Sequence, residues 1–279
     1  MGTLLNGSMS RSFGRDGDGE QRNEISAILI CAATNLKLSQ SMTEVIIPAA
    51  GLGTRLGEHK EGNPKSLVDL DGTTVLEYQL KILDEIGIPP GDVYVIIGTT
   101  GDCWTQKAYD RLTKLHDQVL LNFENTDRGP AFTLELGLQE VSSDSVLILD
   151  GDIVVLKEML ETVYTDKNDS VLASKSADSD GEPGSKILTD DTGCVRSIGK
   201  DIDTGGESHH IYAGFCKLSG EALSRMKAVV GDETDRDVAD VLDEVCREAT
   251  VSNHELSSGW VNINTPEDLE TARKIVNDF

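Results

Sequence analysis

No apolar run in the chain approaches the roughly 18 residues that a membrane-crossing helix needs, which excludes a helical membrane protein. Ile25 to Ala33 is only a short apolar stretch behind a mixed-charge, Gly-rich start, so no cleaved signal peptide is expected. Positive charge is scarce: 25 Lys and Arg face 49 Asp and Glu, for a formal net charge of -24. Sequence-independent binding of DNA or RNA requires cations that displace counterions from the phosphates, so nucleic acid is excluded as a partner. The five cysteines, Cys31, Cys103, Cys194, Cys216 and Cys246, form no CxxC pair and are odd in number; they read as intracellular thiols. Neither they nor His116, His209, His210 and His254 show metal-ligand spacing, so no zinc site or Cys-His nucleophile pair is visible. No GxSxG elbow surrounds any serine. The protein is expected to be cytoplasmic.

What is present suffices for a folded α/β protein, since 279 residues with 38% hydrophobic content can supply a full core. Residues 1–41 mix Gly, Ser, Arg and Asp without sustained period before Ile25. They read as a loose tail, and Met42, just before a strong strand, is a candidate start of translation. N-terminal sequencing of natively expressed material is then expected to begin at Met42, and a sequence beginning at Gly2 overturns that expectation.

From Thr43 onward, strand-like runs alternate with helical periods, the pattern of a mainly parallel sheet covered on both faces. Strands are expected near Val45–Ala49, Val93–Ile97, Val119–Leu121, Val146–Leu149, Val171–Ala173 and Ile211–Leu218. Helices are expected around Leu76–Ile86, Trp104–Leu115, Ala131–Leu138, Lys157–Tyr164, Glu221–Val230 and Val238–Arg247, with a last one opened by Thr265 as N-cap and Pro266 in its first turn. Residues 178–206 are rich in Asp, Gly, Ser and Thr and read as hairpins and loops beside the sheet. The fold expected is one Rossmann-like domain, residues 42–279, with a mixed, mainly parallel sheet and a small loop-rich hairpin appendage.

Glu44 to Lys65, EVIIPAAGLGTRLGEHKEGNPK, is the most informative segment. An apolar strand enters a loop holding Gly51, Gly53, Thr54 and Arg55, closed by Pro64 and Lys65. Glycines let backbone amides approach a polyphosphate while a guanidinium and an ammonium neutralise it. The dinucleotide pattern GxGxxG fails, because Gly57 falls one residue late. The P-loop fails too, because Thr54 and Arg55 follow Gly53 where Lys and Ser or Thr are required.

The residues Pro48 to Leu56 with Pro64 and Lys65 resemble the signature of sugar-phosphate nucleotidyltransferases, the pyrophosphorylase and cytidylyltransferase type. The resemblance continues through Ser66–Leu83, Asp150–Asp152, Ile198–Lys200, Tyr212–Phe215 and Trp260–Leu269. It implies a Mg²⁺-dependent transfer of a nucleotidyl group from an NTP to a phosphorylated small molecule, most simply a sugar 1-phosphate, with release of pyrophosphate. Such chemistry asks the protein to hold two anions together and neutralise the reacting phosphorus.

Arg55 suits the β and γ oxygens as a bidentate fork, and Lys65 suits the α-phosphate as a compact charge. Ala50, Gly51, Gly53, Thr54 and Gly129 are the expected nucleotide-binding positions beside Arg55. The resemblance assigns the metal to Asp152, with Asp150 either supporting it or capping the turn. It also assigns acceptor contacts to Lys200, for which Lys175 and Lys186 are competitors, and to Gly214. Arg55, Lys65 and Asp152 are the expected catalytic residues.

Two departures stand out. Asn262 and Asn264 occupy the place where many members have an acid that completes the metal site; Asn262 is the candidate second ligand, as an amide oxygen can still bind Mg²⁺. In RGPAF, Arg128 to Phe132, Pro130 replaces a threonine of the base-binding segment and removes a hydroxyl and a donor. Base preference therefore stays open, with Thr133 as a candidate polar contact. Residues 178–206 lack the aromatics that would cage a quaternary ammonium, which favours a sugar over a cytidylyltransferase acceptor of choline, polyol or phosphonate type. A non-catalytic NTP sensor is the alternative from another class.

The acidic balance fits either an ordinary soluble protein or adaptation to high salt, where mobile ions screen self-repulsion. Under the second reading the melting temperature rises from low to molar KCl; a flat or falling profile assigns the charge to solubility alone.

Overall fold

Short runs of Val, Ile and Leu build the centre of the molecule. The computed structural model describes residues 43–179, 181–231 and 235–277, which belong to one compact unit, Met42–Phe279. The expectations for residues 1–41 lie outside the described residues. The strands are β1 (Thr43–Pro48), β2 (Val93–Gly98), β3 (Val119–Asn122), β4 (Ser145–Leu149), β5 (Ile153–Val155), β6 (Val171–Ser176), β7 (Lys186–Thr189), β8 (Val195–Gly199), β9 (His210–Ser219), β10 (Ser252–Glu255) and β11 (Trp260–Asn262). The helices are α1 (Val75–Glu85), α2 (Gln106–Leu115), α3 (Pro130–Glu140), α4 (Lys157–Tyr164), α5 (Gly220–Val229), α6 (Val238–Glu248) and α7 (Pro266–Asn277).

The main sheet runs β10-β6-β9-β4-β1-β2-β3. β1 pairs in parallel with β2 and β4, and β2 with β3. β9 is antiparallel to both β4 and β6, so the sheet is mixed and mainly parallel, as expected. The β7–β8 hairpin pairs with β9 through Lys186 and Ile187, which makes the loop-rich segment an extension of the sheet.

Side-chain alternation divides the core. Val45, Ile47, Val95, Ile97, Leu147 and Leu149 face one side, where α1, α2, α4 and α7 contribute Leu76, Ile82, Leu112, Leu160 and Leu269. Ile46, Ile96, Val146 and Ile148 face the other, covered by α3, α5 and α6 through Leu134, Met226, Leu242 and Val245. Burial on both faces explains why these strands read as continuous apolar runs.

Local chemistry sets the helix ends. Thr74 caps α1 in a reciprocal box with Glu77, whose carboxylate accepts from the Thr74 N–H at 2.7 Å. α2 starts at Gln106, two residues later than its apolar period suggests, because Thr105 accepts from the Ala108 N–H and caps it there. Three strands, β5, β10 and β11, exceed the sequence expectation. They have three or four residues each, too few for a period to show, and exist through pairing with β11, β6 and β5 respectively. Among the described residues no helix is long and apolar enough to cross a membrane.

The chain passes from β1 to β2 and β3 on one side and returns with β4 on the other. Such a reversal opens a crevice beyond the carboxyl ends of the two central strands. The opposite edge is clamped by Glu44, 6% exposed, whose carboxylate accepts from the backbone N–H groups of Ser142 and Ser143, both at 2.7 Å, and from Tyr94 Oη at 3.1 Å. Burial pushes this carboxyl up, but the hydrogen bonds from Ser143, Ser142 and Tyr94 together outweigh it and its pKa is lowered. Its stabilisation is therefore full above the ordinary Glu range and is lost as pH falls through the lowered value. Glu44→Gln should cost about 1–3 kcal/mol at neutral pH, and denaturant titrations should show the gap closing under strongly acidic conditions.

Candidate active site

After Pro48 the chain leaves the sheet, with the Ala49 N–H still donating to Ile96 O at 2.7 Å. Gly53 has a φ of +64°, and a Cβ there would lie 3.1 Å from Lys65 Cβ. The positive φ and this close approach together account for a glycine where the loop folds back on its own end. Leu56, 1% exposed, anchors the loop in the core, and Lys60 Nζ donates to Leu52 O at 2.7 Å.

β4 ends beside it. The Gly151 N–H donates to Pro48 O at 3.1 Å and the Asp150 N–H to Gly214 O at 2.9 Å. A Cβ on Gly151 would sit 2.8 Å from Ala49 Cα. Gln79, fully buried on α1, donates its amide to Asp150 O at 2.8 Å and Ile153 O at 2.9 Å, bracing the turn that presents Asp152. A polar residue amid the apolar face of α1 was the signal that could have revealed it.

The third contribution comes from the far end of the chain. β5 pairs with β11, setting Ile153 opposite Asn262, and the Ile263 N–H donates to Asp152 O at 3.0 Å. Thr265 and Asp268 form the N-terminal box of α7. Asp268 Oδ2 accepts from the N–H groups of Asn264 and Thr265 at 2.9 and 2.8 Å.

These three segments converge on one cluster. Lys65 Nζ pairs with Asp152 Oδ2 and donates to Asn264 Oδ1 at 3.0 Å. Arg55 Nη2 donates to the same Asn264 oxygen. Asn264 Nδ2 in turn donates to Asn262 Oδ1 at 3.0 Å. The Lys65 and Asp152 side chains are 11% and 25% exposed, so their charges interact with less solvent screening than a surface pair. Burial, and next the charge of Asp152 and then of Asp237, push the Asp150 carboxyl well above the ordinary range, with Lys65 opposing.

The cluster lies in a cleft of about 1050 Å³ that also takes in Ala50, Gly51, Gly129, Lys200 and Gly214. Gly51 has open space around it, with no atom within 4 Å of a Cβ. Gly129 lines the cleft but is a glycine for a different reason: a Cβ would meet Arg236 O at 2.5 Å. Gly214, at φ +84°, is crowded by Ile153 and Asp150. Thr54 opens the short 3-10 turn Thr54–Lys60 and is exposed. Thr133 is buried and accepts from Asn122 Nδ2 at 2.9 Å.

At the other end of the cleft, Lys200 pairs with Asp237, the N-cap of α6, and Lys175 pairs with Glu182. Lys186 is instead directed to Ile202 O at 3.3 Å. The aromatics absent from residues 178–206 enter from elsewhere: Tyr212 of β9 and Trp260 of β11 line the cleft. Arg128, also in the lining, lies 3.6 Å over the Phe132 ring.

Among the described residues no three His, Cys, Asp or Glu side chains cluster as a metal site. Asp152, with the amide oxygen of Asn262 nearby, offers hard oxygens that suit a magnesium-type ion sharing its shell with phosphates and water, while Asn264 Oδ1 is taken by Arg55 and Lys65.

A crevice at a sheet reversal, walled by a Gly-rich loop with paired cations, matches the family found for this chain. The chain belongs to the family of MobA-like NTP transferase domains, whose model matches residues 45–244. It is 31% identical over 123 residues to a choline-phosphate cytidylyltransferase of Streptococcus pneumoniae, covering 44% of this chain and 50% of that protein. It is 26% identical over 242 residues to a bifunctional IPC transferase and DIPP synthase of Thermococcus kodakarensis, covering 83% of this chain and 50% of the relative. The chain thus spans about half the length of these curated relatives. Among solved structures, the CTP:phosphocholine cytidylyltransferase of Streptococcus pneumoniae superposes with a TM-score of 0.69 at 23% identity, over 84% of this chain and 99% of that one. The inositol-1-phosphate CTP transferase of T. maritima gives 0.68 at 20% identity, over 84% and 96%. These two likenesses establish the shared fold.

The two crevice glycines should behave oppositely. Gly151→Ala should cost about 1–3 kcal/mol, because its methyl meets backbone that cannot yield cheaply. Gly51→Ala, facing open space, should stay within about 0.5 kcal/mol of the parent. Urea unfolding of both variants checks the contrast.

Proposed function

We propose that the protein is a divalent-metal-dependent nucleotidyltransferase that couples an NTP to a phosphorylated small molecule. The observation that carries this reading is the convergence of Arg55 and Lys65 with Asp152 at the carboxyl ends of β1 and β4. In the proposed reaction a phosphate oxygen of the acceptor attacks the α-phosphorus in line. A new P–O bond forms as the bond to the β-phosphate oxygen breaks, and pyrophosphate leaves.

Arg55 holds the β and γ oxygens and follows them into the pyrophosphate. Lys65 meets the charge that grows on the α-phosphate, exchanging Asp152 for phosphate as its partner. The backbone from Ala50 to Gly53 approaches the triphosphate closely, with Thr54 at the loop's turn and Gly129 walling the nucleotide. Asp152 would hold a magnesium ion, with Asn262 as the neighbouring amide oxygen, and the ion would neutralise phosphate charge. Lys200 and Gly214 belong to the acceptor half, where Lys175 is also near. The domain responsible is residues 42–279.

The preferred acceptor is a sugar 1-phosphate, whose anionic end suits Lys200 or Lys175. A choline-like acceptor is the second reading, favoured by Trp260 and Tyr212 in the cleft wall and by the similarity to a choline-phosphate cytidylyltransferase.

Pyrophosphate release over a panel of NTPs and phosphorylated sugars, polyols and choline tests the proposal. One NTP and acceptor pair should give turnover, and Lys65→Ala should reduce it roughly 10²–10³-fold without unfolding the protein. Tight NTP binding without release for any acceptor would instead mark a sensor, and near-normal turnover in Lys65→Ala would remove the role given to Lys65.

A further inference from the structure

We infer that Asn264 is a positioning residue that sets the two triphosphate-binding cations in place, and that its neutrality is what keeps them available to the nucleotide. The inference rests on the nucleotidyl-transfer reading, because it assigns Asn264 a task through Arg55 and Lys65.

Asn264 Oδ1 accepts from both Arg55 Nη2 and Lys65 Nζ. An amide oxygen has two lone pairs, so both donors can be served at once. The side chain cannot rotate freely, since Nδ2 donates to Asn262 Oδ1 at 3.0 Å. That bond also settles the amide orientation, because the flipped form would point Nδ2 at two cations. Its backbone is fixed too, with N–H donating to Asp268 Oδ2 at 2.9 Å within the α7 cap. A residue 199 positions from Lys65 and 209 from Arg55 therefore couples an exposed and a largely buried cation of one loop.

Charge decides why the residue is an amide. Lys65 already shares one negative charge with Asp152. A carboxylate at position 264 would bring a second one against Lys65 and Arg55. The two cations and two anions would then sum to zero before the substrate arrives, and a triphosphate would have to displace both. Asn264 supplies the hydrogen-bond geometry of an acid and leaves one net positive charge among Arg55, Lys65 and Asp152. The bond from Asn264 Nδ2 also occupies Asn262 Oδ1, so the Asn-Ile-Asn segment serves the cations even where no metal is bound.

The test isolates the cations from base, acceptor and metal by using inorganic tripolyphosphate as the probe, titrated calorimetrically in EDTA at low salt, alongside an NTP panel with Mg²⁺. Wild-type protein should bind tripolyphosphate. Asn264→Ala should bind about tenfold more weakly, since two charge-assisted contacts lose their common anchor. Asn264→Asp should weaken binding further, and its deficit should shrink as salt screens the added charge. That salt dependence marks the added charge as the cause, and an Arg55→Ala background separates positioning from a merely structural role. On an Arg55→Ala background the effect of Asn264→Ala should fall to about threefold or less, as one of its two targets is gone. Melting temperatures close to wild type confirm that the variants fold, and should Asn264→Ala fail to fold, the isosteric Asn264→Asp carries the test alone.

Unchanged tripolyphosphate binding in Asn264→Ala, or wild-type-like binding in Asn264→Asp, overturns the inference. So does a deficit seen only with Mg²⁺, which would assign Asn264 to the metal. Wild-type protein that binds neither tripolyphosphate nor any NTP overturns the nucleotidyl-transfer reading itself, and the positioning role falls with it.

Discussion

The parallel pairing of β1 with β4 is the contact on which the site depends. It brings Pro48 and Gly151 within a backbone hydrogen bond, at 3.1 Å, and so sets a cation-bearing loop against an acid-bearing turn. The Arg55, Lys65 and Asp152 cluster is attached at that seam. The loop carries Arg55 and Lys65, the turn carries Asp150 and Asp152, and β5 continues from the turn to recruit β11 and the cap of α7. Gly151 fits because a side chain would push the two strand ends apart.

Electrostatics in the cleft run against the charge of the whole chain. At a formal net charge of -24, the long-range field opposes approach of an anionic nucleotide. The three cleft lysines are each held by an acid: Lys65 by Asp152, Lys175 by Glu182 and Lys200 by Asp237. Each pair keeps a flexible ammonium in position, and each would have to open before that lysine could meet a phosphate. The barrier to opening is moderate for Lys200, which is 62% exposed and well screened by solvent. Lys65, at 11% exposure, is held more tightly.

Much of the fold was legible because the central strands are buried on both faces and the helices have caps with sequence signals. Val146–Leu149 appears close to its observed bounds for the first reason, and Val238–Arg247, capped by Asp237, comes within one residue of its observed bounds for the second. β5, β10 and β11 were not legible. A strand of three or four residues has no period, and Ser252–Glu255 is polar, so only its partner β6 makes it a strand. Within the site, Arg55, Lys65 and Asp152 stood out by motif, and the structure brings them together. Gln79 was hidden inside an apolar helix face, and the aromatic walls Tyr212 and Trp260 lie outside residues 178–206.

By itself the sequence determined which chemistry the protein carries: a glycine-rich loop with two cations, an acid turn after a buried strand, and a capped last helix. Each of these is local, set by spacing of a few residues, and a linear chain displays such spacing directly. Tertiary structure alone decided which partners those groups have. Asn264 reaches Arg55 across 209 positions, and Lys65 reaches Asp152 across 87. Those contacts follow from strand order and from β5–β11 pairing, which depend on burying the whole sheet at once and leave no trace in any short stretch of residues.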